Sequence, residues 1–287
     1  LEEALDLLAG NDWQALVIGN QGDYFSAGVN LAELAALSRV GDGSSLETFL
    51  VRVQRLVQRV RFSLKPVVAA PFGQTLGLGL ELCLACAGVC AEGDSAMGLV
   101  EVGVGLIPAG GGCKELVRRL VSPRASQLEE LDSLPALRRV LWQVMQTKVS
   151  GSAAEARKLG YLTDHDRIIL GQDQLLAAAK RMALDLAAGY RPPDSSRTCY
   201  AAGKLPLAAL GSEIDQARSQ GELTEHEATI ASTLSWVLCG GDRSEAGWTE
   251  ESALLALERQ GFARLLAEEK TQLRIAHLLR TRERLRN

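Results

Sequence analysis

Short apolar runs alternate with glycine-rich turns in the first 120 residues, and this alternation limits the fold more than any other feature. Gln14–Ile18 and Val67–Ala70 have the length and composition of buried strands. Gly73–Gly79 is a glycine-rich turn, and the compact apolar segment Leu80–Ala87 predicts a buried helix. The same order recurs over residues 88–120. Strands this short favour an α/β fold made of stacked turns of a β/α spiral over one wide doubly wound sheet.

Helical periodicity is the main pattern elsewhere in the chain. Residues 1–9 predict a short helix, and apolar residues recur at helical spacing from Ser44, which forms a capping-box pattern with Glu47, to Lys65. From Ser122 onward strand signals nearly vanish. Further helices are predicted at residues 134–148, 152–159, 174–188, 208–218, 225–239 and 250–279, with a linker at residues 190–196.

Composition excludes several classes of function. The 287 residues include 31 basic and 35 acidic side chains, a net charge of -4, with no long single-sign block for gripping nucleic acid. No apolar run reaches the roughly 18 residues of a membrane span, and the first residues do not form a signal peptide. The six cysteines lack the regular spacing of a disulfide framework, which predicts a reduced, cytoplasmic protein. Because Leu1 is not methionine, we expect a piece of a longer polypeptide.

Several familiar site motifs are incomplete. A P-loop requires lysine where Gly111 stands, and Gly77–Gly79 lacks the third glycine of a dinucleotide-binding fingerprint. His226 and Glu227 begin like a zinc-protease helix, but Ile230 occupies the position of the second histidine. We therefore predict no metal site and interpret His226 as a solvated helix residue.

Two acidic residues stand out after these exclusions. Glu81 and Glu101 each lie in an otherwise apolar, glycine-rich segment, where an ionised carboxylate is costly unless it is partnered or functional. They occur in consecutive βα units. This pairing indicates acid–base chemistry.

Four segments resemble the enoyl-CoA hydratase/isomerase (crotonase) superfamily in their order and spacing. They are Ala15–Asn20 with Phe25–Leu31, Lys65–Ala70 with Gly77–Leu82, Met97–Gly112, and Ser152–Gly160. In addition, Gly189–Pro193 and Glu268–Gln272 are similar to the hydratase part of fused 3-hydroxyacyl-CoA dehydrogenase/enoyl-CoA hydratase polypeptides. The resemblance implies a crotonase-like β/α spiral core followed by a mainly helical C-terminal region. The expected regions are a core at 1–121 that lacks the family's first strands, a helical region at 122–190 that completes the fold, and a helical extension at 191–287.

The resemblance also implies a catalytic apparatus. Carried over by position, Glu81 and Glu101 are the two catalytic carboxylates, and the backbone NH groups of Val29 and Leu78 form the oxyanion hole. Two such NH groups would stabilise the charge that develops on a thioester oxygen when water adds to the neighbouring double bond. The carboxyl groups would hold that water, one as general base and the other as the acid that protonates C2.

Coenzyme A binding is implied for Ala27, Gly28 and Asn30, with two departures from the family pattern. Leu78 stands where the family typically has glycine, and a positive φ there would make leucine unfavourable by about 1 kcal/mol. Asn30 and Ala32 replace a common aspartate and lysine, so the cation for the CoA phosphates would come from elsewhere. The candidates are Lys270, Arg274 and Arg280.

The resemblance therefore implies a lyase, an enoyl-CoA hydratase that adds water syn to 2-enoyl-CoA thioesters in fatty-acid β-oxidation. The expected partners are an acyl-CoA substrate, further copies in a homo-oligomer, and a covalently linked NAD-dependent dehydrogenase. No cofactor is expected in this chain, because NAD belongs to the dehydrogenase part. The alternatives are an enoyl-CoA isomerase, an acyl-CoA thioester hydrolase, and an acyl-CoA-binding domain with impaired catalysis.

Overall fold

A computed structural model describes residues 1–39, 43–125, 133–194 and 199–287. The chain forms two compact units, the first from residues 1–29, 52–99 and 149–194 and the second from residues 30–51, 100–148 and 195–287. The units alternate along the sequence instead of following one another. The division into regions 1–121, 122–190 and 191–287 therefore stays a prediction.

Helices account for most of the regular structure in the described residues. In chain order they are α1 (Glu2–Gly10), α2 (Leu31–Arg39), α3 (Gly43–Arg61), α4 (Leu78–Ala85), α5 (Gly112–Leu116), α6 (Ser122–Ala125), α7 (Leu134–Met145), α8 (Ala153–Lys158), α9 (Gln172–Ala187), α10 (Lys204–Ser219), α11 (Glu225–Leu238), α12 (Glu251–Ala267) and α13 (Glu269–Thr281). A 3-10 turn spans Glu101–Val104, and a π-helical turn spans Val117–Val121. Within the described ranges, no helix is both long and apolar enough to cross a membrane.

The strands are short, as predicted. They are β1 (Leu16–Ile18), β2 (Val67–Ala69), β3 (Gln74–Leu76), β4 (Gly88–Glu92), β5 (Ala96–Gly98), β6 (Arg167–Ile169), β7 (Cys199–Ala201) and β8 (Gly247–Thr249). In the first unit, β1, β2, β4 and β6 form a parallel sheet in that order, and β3 pairs with β5 in a second parallel sheet. In the second unit, β7 and β8 form an antiparallel pair.

The core of the first unit lies between its larger sheet and α9. Val68 and Cys90 of the sheet pack with Ala179 and Met182 of the helix. Gly88 permits the close approach, because a Cβ at that position would lie 2.4 Å from Met182 Cε. Parallel strands that are covered in this way need continuous apolar runs, which explains why β1 and β2 were predictable.

Four strands were missed by the sequence prediction. β3 lies inside the segment Gly73–Gly79 that was predicted to be a turn, because polar Gln74 and Thr75 interrupt the apolar pattern. After Ser122 the described residues are mainly helical, as expected, and the strands β6, β7 and β8 are brief interruptions. Each of these strands has only three residues, which is too short for an alternating pattern to stand out.

Helix α3 begins at Gly43, one residue before the predicted capping residue Ser44, and the residues that precede it lie outside the described residues. The predicted helix at 250–279 is divided at Glu268, whose backbone is extended with φ -68° and ψ 129°. The division was not visible in the sequence, because no glycine or proline lies near Glu268 to mark a break.

A buried ionic network joins α5 to α12 in the second unit. Lys114 Nζ lies 2.6 Å from Glu115 Oε1 and 2.7 Å from Glu251 Oε2, and Lys114 N donates to Glu258 Oε1 at 2.7 Å. Glu115 also accepts from Arg118 Nη2 at 2.7 Å. The lysine side chain is fully buried, so its charge depends on these carboxylates for stabilisation.

Candidate active site

The segment Phe25–Gly28 runs beside β3 in the first unit. Ser26 N donates to the Gln74 carbonyl at 3.0 Å, and the Ser26 carbonyl accepts from Leu76 N at 2.8 Å. Gly79 lets this segment approach the start of α4, because a Cβ on Gly79 would lie 2.3 Å from Ser26 Cβ. The segment is therefore held against the first turn of α4.

The first turn of α4 presents backbone NH groups that the helix itself does not use. The first intrahelical bond runs from Glu81 N to Gly77 O at 3.0 Å, so the amides that precede Glu81 in the helix have no acceptor within it. A Cβ built on Gly28 would lie 3.7 Å from Leu78 N. Val29 follows Gly28 directly, so the two predicted oxyanion-hole residues, Val29 and Leu78, belong to neighbouring segments of one unit.

The leucine at position 78 brings no backbone strain. The positive φ of this loop, 53°, falls on Gly77, and Leu78 is the first helical residue of α4. The expected penalty of about 1 kcal/mol for a leucine with positive φ therefore does not arise.

An apolar cavity of about 290 Å³ opens beside this loop. Its walls come from four places: β1 with the loop after it, the segment Phe25–Gly28, helix α3 and helix α4. The lining residues are Ile18, Gly19, Asn20, Phe25, Ser26, Gly28, Val53, Leu56, Val57, Leu78, Gly79 and Leu82. Leu78 contributes to the wall, so its side chain reduces the space there. The cavity suits an apolar group attached to a polar atom near the start of α4.

Glu81 is buried in α4, one helical turn after Leu78, and is 3% exposed. Its neighbours along the helix, Leu80 and Leu84, are also buried. A carboxylate in such surroundings must be stabilised by its contacts or protonated. The location agrees with the prediction of a buried acid, while its catalytic role stays a prediction.

Glu101 opens the 3-10 turn of the second unit. The turn follows β5 by two residues and ends at Gly105, whose φ is 86°. Gly105 N donates to Val102 O at 3.0 Å, and Leu106 N donates to Glu101 O at 3.1 Å. The Glu101 carboxylate oxygen Oε2 is buried. Glu101 comes three residues after the end of β5, and Glu81 comes five residues after the end of β3, the strand that pairs with β5.

The residues predicted to bind coenzyme A have different local settings. Ala27 is exposed and Gly28 is partly buried with a φ of 97°. Asn30 is exposed, and its Oδ1 accepts from Ala32 N at 3.0 Å, which caps the start of α2. Their contact with coenzyme A stays a prediction.

The three candidate phosphate-binding cations divide into two groups. Lys270 and Arg280 are exposed on α13. Arg274 is only 3% exposed, and its Nη1 and Nε donate to Val102 O at 3.3 Å and to Asn287 Oδ1 at 2.8 Å. Arg274 is thus committed to contacts inside the second unit.

His226 is buried, so the prediction of a solvated helix residue was wrong. It is 3% exposed, and its Nε2 lies 2.9 Å from Thr271 Oγ1. Burial, together with the charges of Arg274 and Lys270, lowers the pKa of His226 to about 4. The apolar residues around it in α11, including Ile230, were a signal that this helix is buried. Among the described residues, no group of three or more His, Cys, Asp or Glu side chains could hold a metal ion.

Known proteins resemble the chain in sequence and in fold. The model of the enoyl-CoA hydratase/isomerase family matches residues 1–130. A probable 3-hydroxyacyl-CoA dehydrogenase of Bacillus subtilis (strain 168) is 40% identical over 96% of the chain, which spans 34% of that protein. The peroxisomal fatty acid beta-oxidation multifunctional protein AIM1 of Arabidopsis thaliana is 32% identical over 67% of the chain, which spans 23% of that protein.

The fold has close structural counterparts. The crystal structure of a carnitinyl-CoA dehydratase from Mycobacterium thermoresistibile matches with a TM-score of 0.65 at 19% identity, over 98% of this chain and 80% of that one. This likeness confirms the predicted crotonase-like α/β fold with its helical C-terminal region. In sequence over residues 1–130 and in fold, the chain thus matches the enoyl-CoA hydratase/isomerase, or crotonase, superfamily.

Proposed function

We propose that this chain catalyses the addition of water to 2-enoyl-CoA thioesters. The observation that carries the proposal is the apolar cavity beside the first turn of α4, where Leu78 begins the helix and buried Glu81 follows one turn later. The positive end of a helix and its NH groups stabilise negative charge on a thioester oxygen. The cavity would take the apolar acyl group.

Each proposed residue has one task in this reaction. The NH groups of Val29 and Leu78 bind the thioester oxygen. One of the two carboxyl groups, Glu81 or Glu101, accepts a proton as the water oxygen bonds to C3, and the electron pair of the double bond moves toward the thioester oxygen. The other carboxyl group then gives a proton to C2. Substrate and water together supply every atom of the product, so the step requires no cofactor.

Hydration is favoured over the other reactions of the superfamily by the two acids. An enoyl-CoA isomerase only moves a proton between two carbons, and members of that kind resemble this chain at Glu101 but usually lack an acid at the position of Glu81. A thioester hydrolase would release free coenzyme A. The product therefore separates the three activities: a 3-hydroxyacyl-CoA, a shifted double bond or a free thiol.

We further propose that the activity serves fatty-acid β-oxidation within a longer polypeptide. The support is the similarity to a probable 3-hydroxyacyl-CoA dehydrogenase and to a β-oxidation multifunctional protein, of which the chain spans about a third or less. A linked dehydrogenase would oxidise the 3-hydroxyacyl product with NAD. The proposed partners are thus an acyl-CoA substrate, the dehydrogenase and, by analogy with the superfamily, further copies of the chain.

The test is the loss of enoyl absorbance when crotonyl-CoA or a longer 2-enoyl-CoA is mixed with the protein. We expect turnover that Glu81→Gln or Glu101→Gln reduces by at least about a hundredfold, because each removes one acid–base group. Glu3→Gln, which changes an exposed carboxylate of α1, is the matched control and should keep full activity. Full activity in both active-site variants, or a product other than the 3-hydroxyacyl-CoA, would overturn the proposal.

A further inference from the structure

The 3-10 turn that carries Glu101 has few hydrogen bonds of its own. It is four residues long, and its backbone bonds include those from Gly103 N to Val100 O at 3.0 Å and from Gly105 N to Val102 O at 3.0 Å. A 3-10 turn of this length has weak hydrogen-bond geometry and gains little from cooperativity. Its conformation therefore depends on contacts from other parts of the second unit.

Helix α13 supplies two of these contacts. Thr271 Oγ1 donates to Gly105 O at 2.9 Å, and Arg274 Nη1 donates to Val102 O at 3.3 Å. Thr271 is completely buried. The two surfaces are in close contact, because a Cβ on Gly105 would lie 2.7 Å from Thr271 Oγ1. Two carbonyl groups of the turn are thus bound by side chains that lie one helical turn apart.

A third contact comes from the residues after α13. Arg284 lies over Gly103, where a Cβ would be 3.0 Å from Arg284 Nε. Arg284 Nη1 is itself anchored by a hydrogen bond to Thr147 Oγ1 at 2.7 Å. The turn is therefore contacted at Val102, at Gly103 and at Gly105, the residue that ends it.

His226 fixes the direction of the Thr271 hydroxyl. That hydroxyl has one proton, and the Gly105 carbonyl can only accept, so the proton points to Gly105 and Thr271 Oγ1 accepts from His226 Nε2. His226 must then carry its proton on Nε2. Its lowered pKa, caused by burial and by the Arg274 and Lys270 charges, keeps the ring neutral near pH 7.

We propose that Thr271, oriented by His226, is a positioning residue that holds the Glu101 turn in the conformation required for catalysis. This inference rests on the proposed hydratase function, because Glu101 is the group whose position matters. It gives a task to the segment Glu268–Gln272, whose sequence alone indicated only a resemblance to fused enzymes. A misplacement of about 1 Å at a reacting group can reduce the rate about a hundredfold.

The test compares Thr271→Val, which removes the hydroxyl and keeps the shape, with Thr271→Ser, which restores the hydroxyl. For Thr271→Val we expect kcat for 2-enoyl-CoA hydration to fall about ten- to a hundredfold with little change in KM. Amide hydrogen exchange at Gly103 and Gly105, followed residue by residue by NMR, should become faster. Thr271→Ser should return both quantities toward the wild-type values.

The matched control is Ser122→Ala. Ser122 is also buried in the second unit, where its hydroxyl donates to Val117 O at 3.1 Å and accepts from Tyr200 N at 2.9 Å. It should lower stability without the specific loss of kcat or the faster exchange in the Glu101 turn. If Thr271→Val does not fold, Thr271→Ala tests the same hydrogen bond.

The outcomes separate this inference from the proposed function. Absence of turnover in the wild-type protein would overturn the hydratase proposal and, with it, the inference. Normal wild-type turnover combined with an unchanged kcat in Thr271→Val would overturn the inference alone. The inference would also fail if Ser122→Ala reduced kcat as much as Thr271→Val does.

Discussion

The two acidic residues, Glu81 and Glu101, are carried by segments that are held in different ways. Glu81 lies inside α4, where it is supported by intrahelical bonds and by buried neighbours close in sequence. Glu101 opens a 3-10 turn whose carbonyls are bound by Thr271 and Arg274, across sequence separations of 166 and 172 positions. The hydrogen bonds that shape the backbone around Glu81 are local in sequence, whereas those that hold the Glu101 turn come in part from residues far along the chain.

The same difference extends to the rest of each unit. The core of the first unit is built from apolar contacts between short strands and α9. The second unit adds a buried ionic network in which Lys114 joins Glu115 to Glu251. Apolar packing tolerates adjustment, but a buried charge that loses its partner is strongly destabilising. The second unit should therefore respond more sharply to single changes at long-range contacts.

The largest effect is expected from Lys114→Met. This change removes the buried cation that lies 2.7 Å from Glu251, although Glu115 keeps Arg118. Glu251 then loses the nearest charge that offsets the desolvation of its buried carboxylate. We expect the free energy of unfolding to fall by about 3–5 kcal/mol, measured by urea denaturation.

The control for Lys114→Met is Lys180→Met, which changes an exposed lysine of α9 and should alter stability by less than about 0.5 kcal/mol. The double variant Lys114→Met/Glu251→Met should recover part of the loss, because it removes a charge from each side. Equal free energies of unfolding for Lys114→Met and Lys180→Met would contradict the contrast between the units.

The next effect is a dependence of stability on pH that comes from His226. The pKa of this histidine is lowered from 6.5 to about 4 in the folded protein. As the pH falls below 6.5, the unfolded chain takes up the proton first, so the stabilisation present above pH 6.5 is lost progressively toward pH 4. The expected loss is about 3 kcal/mol.

Urea denaturation at pH 7, 5.5 and 4 would measure this loss in wild type and in His226→Gln. The contribution should be missing from His226→Gln, while His165→Gln, at an exposed site, should follow the wild-type curve. Glu227 and the cations Arg274 and Lys270 face the same site, so their charges must be kept unchanged. Parallel curves for wild type and His226→Gln would show that the histidine is not held neutral.

Features of this contrast that depend on residues close in sequence could be predicted, whereas features that depend on residues far apart in sequence could not. Helix α4 and its acid were predictable, because a dense apolar run and flanking glycines are local signals. Glu101 could also be recognised as an isolated acid in an apolar segment. Thr271 gave no signal, since a threonine in an amphipathic helix does not reveal a carbonyl that it will meet far along the chain. His226 was assigned to solvent although the apolar residues around it in α11 indicated a buried helix.

A smaller effect is expected from Gly79→Ala in the first unit. The added Cβ would lie 2.3 Å from Ser26 Cβ, so the segment that precedes Val29 must move away from α4. Overpacking of this kind typically lowers the free energy of unfolding by about 1–3 kcal/mol. Hydration activity should fall as well, because the two NH donors would separate.

The companion change for Gly79→Ala is Gly211→Ala in α10, where a new Cβ would meet no heavy atom within 4 Å. That change should raise stability by up to about 1 kcal/mol through helix propensity. If Gly79→Ala leaves both stability and activity intact, the close approach of Ser26 to α4 is not needed for either. Contacts close in sequence would then be sufficient to hold α4 and Glu81 in place.

The smallest effect is expected from Leu78→Ala, which leaves the backbone of α4 unchanged. Leu78 has helical geometry and contributes its side chain to the cavity of about 290 Å³, so the substitution enlarges the proposed acyl site without removing the NH group. We expect kcat for crotonyl-CoA to stay within about threefold of the wild-type value. The KM for longer 2-enoyl-CoA substrates should fall relative to that for crotonyl-CoA by about tenfold or less, because one apolar contact is worth roughly 1 kcal/mol. Steady-state kinetics over a series of chain lengths would measure this. A loss of kcat at every chain length would instead mean that the leucine side chain positions the oxyanion-hole loop, and the Glu81 segment would then depend on tertiary contacts as the Glu101 turn does.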